Sequence, residues 1–109
     1  MVEAISVAQL QALMASAKPP LLCDVRRQPA FLASPVVIPD AVRRLPETVA
    51  TWGAQLGEVE EEVVYCVHGH EVSQGVAAQL AERGVRCRYL FGGLEQWLAE
   101  GGPTLAPTA

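Results

Sequence analysis

What this 109-residue chain lacks excludes several classes of protein. Its 8 lysine and arginine residues are scattered and its net charge is −4, so we expect no nucleic-acid partner. No apolar run approaches the roughly 18 residues of a membrane-spanning helix, so we expect no membrane partner either. The first residues also lack the early basic cluster of a signal peptide, which makes a cytoplasmic location the expectation.

Cysteine is scarce as well, since the chain contains only Cys23, Cys66 and Cys87. The odd count, the wide spacings and the absence of a CxxC pair argue against a disulfide framework or a zinc ribbon. One reactive thiol and two thiols packed in the core fit this pattern better, and Cys23 and Cys87 lie in predicted strands. We therefore expect a protein that holds neither a metal nor another cofactor.

The chain is rich in hydrophobic residues, which make up half of it. This content is sufficient for one buried core, and the length suits one domain. We predict a single domain over residues 1–109, with its core at about 5–101 and a loose tail at 102–109.

Helical and strand patterns alternate along the chain. Ser6 and Gln9 form a capping box before a first helix, which is expected to stop at Lys18-Pro19-Pro20. Strands are predicted at 21–25, 41–43, 62–66 and 85–90. Further helices are predicted at 29–33, 46–56, 73–83 and 94–99, with Gly57 ending the second, Ser73 capping the third and Gly84 ending it. This order predicts an α/β fold with a central parallel sheet and helices on both faces.

The segment from Val63 to Ser73 contains the features of a reactive site. Cys66 ends a predicted buried strand, a loop with Gly69 follows, and a helix then begins. In an open parallel sheet, ligands bind beyond the carboxyl ends of the strands. Loop amides and a helix N-terminus there can bind an anion and stabilise a thiolate, the nucleophilic form of cysteine. A thiosulfate, a persulfide and a phosphate-like oxyanion all suit such a loop.

His68 and His70 lie within this loop and leave two interpretations open. They add positive charge near neutral pH, or they are solvated polar groups without a role in binding. A zinc site formed by Cys66, His68 and His70 is disfavoured, because ligands so close along one loop rarely converge and no fourth ligand is evident.

Four motifs in order resemble the rhodanese family over about residues 5–101. They are Leu22-Cys23-Asp24-Val25-Arg26, Ile38-Pro39-Asp40-Ala41, Val64-Tyr65-Cys66 with Gly69, and the Gly92-Gly93 to Trp97 segment. The second motif departs from the family pattern, because Asp40 replaces a glycine and Val37 stands where a histidine usually precedes it. The resemblance implies the same parallel α/β fold.

The resemblance also implies a sulfurtransferase. Cys66 would be the catalytic residue, taking sulfane sulfur from a small donor as a persulfide and passing it to cyanide, a thiol or an acceptor protein. Loop residues would bind the persulfide, namely Val67, His68, Gly69, His70, Glu71, Val72 and Ser73. Asp24 and Arg26 would support the site, either by steering anions or, as we favour, through a structural salt bridge.

Two departures in the cysteine loop keep alternatives open. The loop contains no Arg or Lys and includes Glu71, which weakens thiosulfate as the physiological donor. It also aligns one residue longer than usual, as in relatives that act on phosphate or arsenate. Those relatives place an oxyanion-binding arginine where Val72 stands here, so sulfur transfer is favoured. A non-catalytic, partner-binding module is the third alternative, and the presence of Cys66 argues against it.

Overall fold

A computed structural model describes residues 2–56 and 61–106 of the chain. The strands are β1 Glu3–Ile5, β2 Leu21–Asp24, β3 Val42–Arg43, β4 Glu62–Tyr65 and β5 Cys87–Leu90. The helices are α1 Val7–Met14, α2 Gln28–Ala33, α3 Val49–Ala54, α4 Glu71–Glu82 and α5 Gly93–Ala99. Among the described residues, no helix has the length and apolar character needed to cross a bilayer.

The five strands form one parallel sheet in the order β1-β5-β4-β2-β3. The central strand β4 pairs with both β2 and β5, and Val64 lies between Cys23 and Tyr89. The predicted parallel α/β fold is therefore confirmed. Because β4 is central, the loop that follows Tyr65 lies in the middle of the carboxyl edge of the sheet.

Alternate residues of β2 and β4 pack into two separate cores, one on each face of the sheet. Val63 and Tyr65 pack on the first face with Leu10 of α1 and Trp97 of α5. Val64 packs on the opposite face with side chains of α3 and α4, among which are Trp52, Val76 and Leu80. The predicted covering of both faces by helices is thus confirmed, and Tyr65 lies in the core on the opposite face from Val64.

The amino-terminal region contains one strand that the sequence pattern did not predict. Glu3–Ile5 forms β1 and pairs with β5 at the edge of the sheet. The capping box is confirmed, because Ser6 accepts a hydrogen bond from the Gln9 N–H and the Gln9 side chain accepts one from the Ser6 N–H. Helix α1 ends at Met14, four residues before Lys18. Its last turn is completed by a hydrogen bond from the Ala15 N–H to the Gln11 carbonyl.

The predicted helix at 46–56 is divided into two elements. A 3₁₀ turn, Pro46–Thr48, leads into α3, which ends at Ala54. The predicted stop at Gly57 lies outside the described residues. Gly84 follows the end of α4 with a φ of +85°, as expected for the glycine after a helix.

The carboxyl-terminal segment is attached to the body of the protein as far as it is described. The N–H groups of Val37 and Leu105 each donate to the carbonyl of the other, at 3.0 and 2.8 Å. The Trp97 indole N–H donates to the Pro103 carbonyl at 2.8 Å. A loose tail is expected from residue 102, but residues 102–106 are attached to the domain, because Pro103 and Leu105 form hydrogen bonds with it.

Cys23 and Cys87 both lie in the core beneath α3 and α4. Burial, reinforced by the Glu62 carboxyl group, raises the pKa of Cys23 to about 12 and raises that of Cys87 as well. Both thiols therefore stay protonated at neutral pH, and their predicted role in core packing is confirmed.

Glu62 begins β4 with a fully buried carboxyl group whose oxygens accept no hydrogen bond from the described residues. Burial raises the pKa of this group from 4.5 to about 7, and the positive charge of Arg44 partly opposes the shift. Between these values the unfolded chain has lost the proton while the folded protein keeps it. The contribution of Glu62 to stability is therefore greatest below the lower value, and it is lost as the pH rises through the higher one.

We expect Glu62→Gln to become more stable relative to the wild type as the pH rises from about 4.5 to about 7.5. The change is on the order of 3 kcal/mol, because glutamine has no charge to bury. Urea unfolding followed by the fluorescence of buried Trp52 and Trp97 measures it. Glu82→Gln, at the exposed end of α4, is the matched control. A difference from the wild type that stays constant with pH in both variants would contradict the prediction.

Candidate active site

Cys66 follows β4 directly and lies at the base of a cavity of about 340 Å³. Its side chain is only 5% exposed, so the sulfur is reached through this cavity. A cavity of this volume is at the small end of the range of ligand sites, roughly 300–1,000 Å³. The lining residues are Arg26, Arg27, Ala30, Cys66, Val67, His68, His70, Glu71 and Val72.

Ser73 lies beside the Cys66 sulfur and does not cap the helix, so its predicted capping role is wrong. Helix α4 begins two residues earlier, at Glu71, because the Gln74 N–H already donates to the His70 carbonyl. Ser73 is therefore buried in the first turn, where the Cys66 thiol donates to its hydroxyl oxygen at 3.1 Å. Since a hydroxyl group rotates freely, the same group can donate to a Cys66 thiolate.

The loop around Cys66 has a series of backbone N–H groups that find no acceptor among residues 2–56 and 61–106. Within the described residues, none of these groups from Val67 to Ser73 donates to a backbone or side-chain acceptor. Three of the seven belong to the first turn of α4, where an α-helix leaves its N–H groups unpaired. Free amides at a helix N-terminus favour an anion, such as a thiolate or an oxyanion.

The first turn of α5 is hydrogen-bonded to the cysteine loop. The N–H groups of Leu94 and Glu95 donate to the carbonyls of Cys66 and Val67, at 2.9 and 3.0 Å. A side chain at Gly93 has no room, because a Cβ there would lie 2.5 Å from both carbonyl oxygens. The Gly92-Gly93 turn is therefore part of the support of the site.

Gly69 turns the loop with a φ of +72°, a conformation that favours glycine. Its carbonyl accepts a hydrogen bond from the Gln74 side chain at 3.0 Å. The loop is thus tied to α4 as well as to α5.

The two histidines of the loop differ in their contacts. His68 lies 3.0 Å from the Glu95 carboxylate through Nδ1, and both side chains are largely exposed. His70 is also exposed and lines the cavity, with its ring 6.1 Å from that of His68. No group of three or more histidine, cysteine, aspartate and glutamate side chains in the described residues is arranged to hold a metal ion.

The sequence comparison identifies the fold family. The model of the rhodanese-like domain matches residues 6–100, which is most of the chain. The chain belongs to the rhodanese-like domain family. Among curated proteins, a search with this sequence finds no match.

Solved structures agree with this assignment of the rhodanese-like domain. A rhodanese-related protein from Thermoplasma volcanium has a TM-score of 0.82 at 20% identity, over 96% of this chain and 99% of its own. A thiosulfate sulfurtransferase from Pseudomonas aeruginosa has a TM-score of 0.80 at 21% identity, over 97% of this chain but 20% of its own. A Rhodopseudomonas palustris protein described as a possible tyrosine phosphatase has a TM-score of 0.84 at 22% identity, over 95% of this chain and 85% of its own. At these identities the likeness shows the fold alone.

Asp24 and Arg26 form a buried ion pair beneath the cavity of this rhodanese-like domain. Three hydrogen bonds of 2.7–3.1 Å join the guanidinium to the Asp24 carboxylate, and both side chains are at most 1% exposed. The same guanidinium donates to the carbonyls of Ser34 and Val36, at 2.6 and 2.9 Å. Arg26 therefore holds the chain after α2, which is the structural role favoured from the sequence.

Arg27 is a cavity residue that the sequence interpretation missed. It precedes α2, its side chain is exposed, and it lines the cavity opposite the cysteine loop. Its position could have been predicted, because consecutive side chains of an extended backbone point to opposite sides. With Arg26 turned inward, Arg27 faces outward.

Val72 lies where the phosphate-specific relatives of this family have an arginine. It is half-buried, lines the cavity and packs against the core beneath α3 and α4. An apolar side chain at this point cannot form the forked bonds that bind a phosphate or arsenate. The position therefore contributes an apolar wall close to Cys66.

Proposed function

We propose that this rhodanese-like domain is a sulfurtransferase that holds sulfane sulfur as a persulfide on Cys66. The observation that supports this most is the position of Cys66 at the base of a cavity, within a loop whose amides from Val67 to Ser73 have no acceptor among the described residues. An anionic sulfur species on Cys66 would give these N–H groups the acceptors that they lack. Ser73, at 3.1 Å, supplies one further donor.

The transfer takes place in two displacement steps. The Cys66 thiolate attacks the transferable sulfur of the donor, and the bond between this sulfur and the rest of the donor breaks. That bond is sulfur–sulfur in thiosulfate and persulfides and carbon–sulfur in mercaptopyruvate. The leaving group takes the bonding electrons and departs as sulfite, as a thiolate or as the enolate of pyruvate, respectively. A thiophilic acceptor, such as cyanide, a thiol or an acceptor protein, then attacks the outer sulfur and releases the Cys66 thiolate.

Phosphoryl or arsenate chemistry is the weaker candidate. Its support is the aligned length of the loop. Val72, however, has no guanidinium to stabilise the charge of such a transition state.

We also propose that the protein is cytoplasmic, since a reducing compartment keeps the three free thiols, Cys23, Cys66 and Cys87, reduced.

Intact-mass spectrometry tests the proposal directly. We expect the reduced protein to gain the mass of one sulfur atom from thiosulfate, mercaptopyruvate or glutathione persulfide. The gain disappears completely in Cys66→Ser, because Cys23 and Cys87 are buried and protonated. Subsequent addition of cyanide or a thiol removes the sulfur from the wild type.

Cys66→Ser is the matched control because it retains both other thiols. A gain that persists in this variant would refute the assignment to Cys66. If no donor delivers sulfur, turnover of an aryl phosphate or of arsenate with a thiol reductant would point to oxyanion chemistry. Inertness in every assay would point to a partner-binding module.

A further inference from the structure

Two opposite charges lie at the mouth of the Cys66 cavity. Arg27 precedes α2 and Glu71 begins α4, and both exposed side chains line the cavity. Within the described residues, neither side chain forms a hydrogen bond or an ion pair. They also share a neighbouring cavity with Glu47, which likewise lies beyond ion-pair distance of Arg27.

Two other charged or ionisable residues that line the cavity, Arg26 and His68, have partners, whereas the His70 side chain forms no hydrogen bond or ion pair within the described residues. Arg26 is committed to Asp24 and to two backbone carbonyls, and it is 1% exposed. His68 is paired with Glu95. Arg27 is thus the guanidinium available to an anionic group of a ligand, and Glu71 is the carboxylate available to a cationic group. Ala30, Val67 and Val72 contribute apolar side chains to the wall of the same cavity.

We infer that the cavity binds a small sulfur compound that has both a carboxylate and an ammonium group, as amino-acid thiols and persulfides do. The sulfur end reaches Cys66 at the base, and the charged groups stay at the mouth. Arg27 binds the carboxylate, because its planar fork matches two oxygens, and Glu71 binds the ammonium. This inference rests on the proposed function, since it names the compound with which Cys66 exchanges sulfur.

A panel of four symmetric disulfides tests the contributions of Arg27 and Glu71 separately. Cystine has both groups, dithiodipropionate only the carboxylate, cystamine only the ammonium, and bis(2-hydroxyethyl) disulfide neither. In each case the Cys66 thiolate attacks one sulfur, the disulfide bond breaks, one half stays on Cys66 and the other leaves as a thiolate. Intact mass gives the rate, measured at about 0.01 M salt, where the Debye length is about 30 Å.

We expect each charge to act most strongly on the reagents that bear its counterpart, with the neutral disulfide as the reference for each variant. Relative to that reference, Arg27→Gln slows cystine and dithiodipropionate about threefold or more, the factor of one exposed ion pair. Glu71→Gln slows cystine and cystamine by a similar factor. Arg27→Lys retains only part of the rate with dithiodipropionate, because the positive charge remains while the planar fork is lost.

Arg83→Gln and Glu82→Gln are matched controls, because these exposed residues lie at the far end of α4 from the cavity. They change the net charge by the same amounts and should change the four rates much less than the cavity variants do. Equal slowing of all four disulfides by Arg27→Gln and Glu71→Gln, or equal effects of the controls, would overturn the inference. The panel needs no sulfane sulfur, so failure to form a persulfide would refute the sulfurtransferase proposal separately.

Discussion

Asp24→Asn is expected to destabilise the protein by about 3–5 kcal/mol, the usual cost of removing one partner from a buried ion pair. The guanidinium of Arg26 would remain 1% exposed, without the carboxylate that now receives three of its hydrogen bonds. A domain of this size has about 5–15 kcal/mol of stability in total, so the loss is a large part of it. At roughly 4–8 °C per kcal/mol, the melting temperature falls by at least about 12 °C.

Urea and thermal unfolding measure this loss, with Trp52 and Trp97 as buried fluorophores. Asp40→Asn is the matched control, since it removes the same charge from an exposed residue and asparagine tolerates the φ of +69° found there. Arg26→Lys should also be strongly destabilised, because an ammonium group cannot form the fork. A cost below about 1 kcal/mol for Asp24→Asn would place this pair with exposed salt bridges and refute its structural role.

The order of helices and strands could be predicted from the sequence because each pattern is local. An apolar run bounded by proline and charge marks β2, β-branched and aromatic residues mark β4, and alternation marks β5. Helical spacing marks α1, and the Gly92-Gly93 turn marks the start of α5. Strand β1 could not be found in this way. It has only three residues, and it exists through pairing with β5, more than eighty residues along the chain.

The start of α4 was misplaced because tertiary contacts prevailed over a local preference. Serine favours an N-cap, so the sequence predicts Ser73 at that position. The turn at Gly69 and the hydrogen bond from Gln74 to its carbonyl start the helix earlier. This places the Ser73 hydroxyl against Cys66, a contact that no pattern in the sequence indicates.

Cys66 itself could be selected from the sequence, because a cysteine between a buried strand and a glycine loop is a recognisable combination. The division of roles between Arg26 and Arg27 could not be predicted, because it depends on which side chain meets Asp24, Ser34 and Val36.

Asp40 illustrates the reverse case, in which the structure explains a motif. The resemblance places a glycine at this position, and the structure shows a φ of +69°, which glycine adopts without strain.

Gly93→Ala is expected to reduce both stability and sulfur transfer, because the new methyl group would collide with the loop of Cys66. The Cβ would lie 2.5 Å from the carbonyl oxygens of Cys66 and Val67, well inside van der Waals contact. Those carbonyls cannot move away freely, since the N–H groups of Leu94 and Glu95 hold them at 2.9 and 3.0 Å. Overpacking typically costs about 1–3 kcal/mol, and the φ of +63° adds about 1–2 kcal/mol for a residue with a Cβ.

Gly84→Ala separates these two costs, because Gly84 also has a positive φ, +85°, but nothing lies within 4 Å of its Cβ position. It should lose about 1–2 kcal/mol and keep its rate of sulfur transfer. Gly93→Ala should lose more, and its rate should fall more than about tenfold, because a misplacement of about 1 Å at a reacting group costs on the order of a hundredfold. Urea unfolding and the rate of sulfur gain on Cys66 measure the two effects. Equal behaviour of both variants would show that the Gly92-Gly93 turn does not position the cysteine loop.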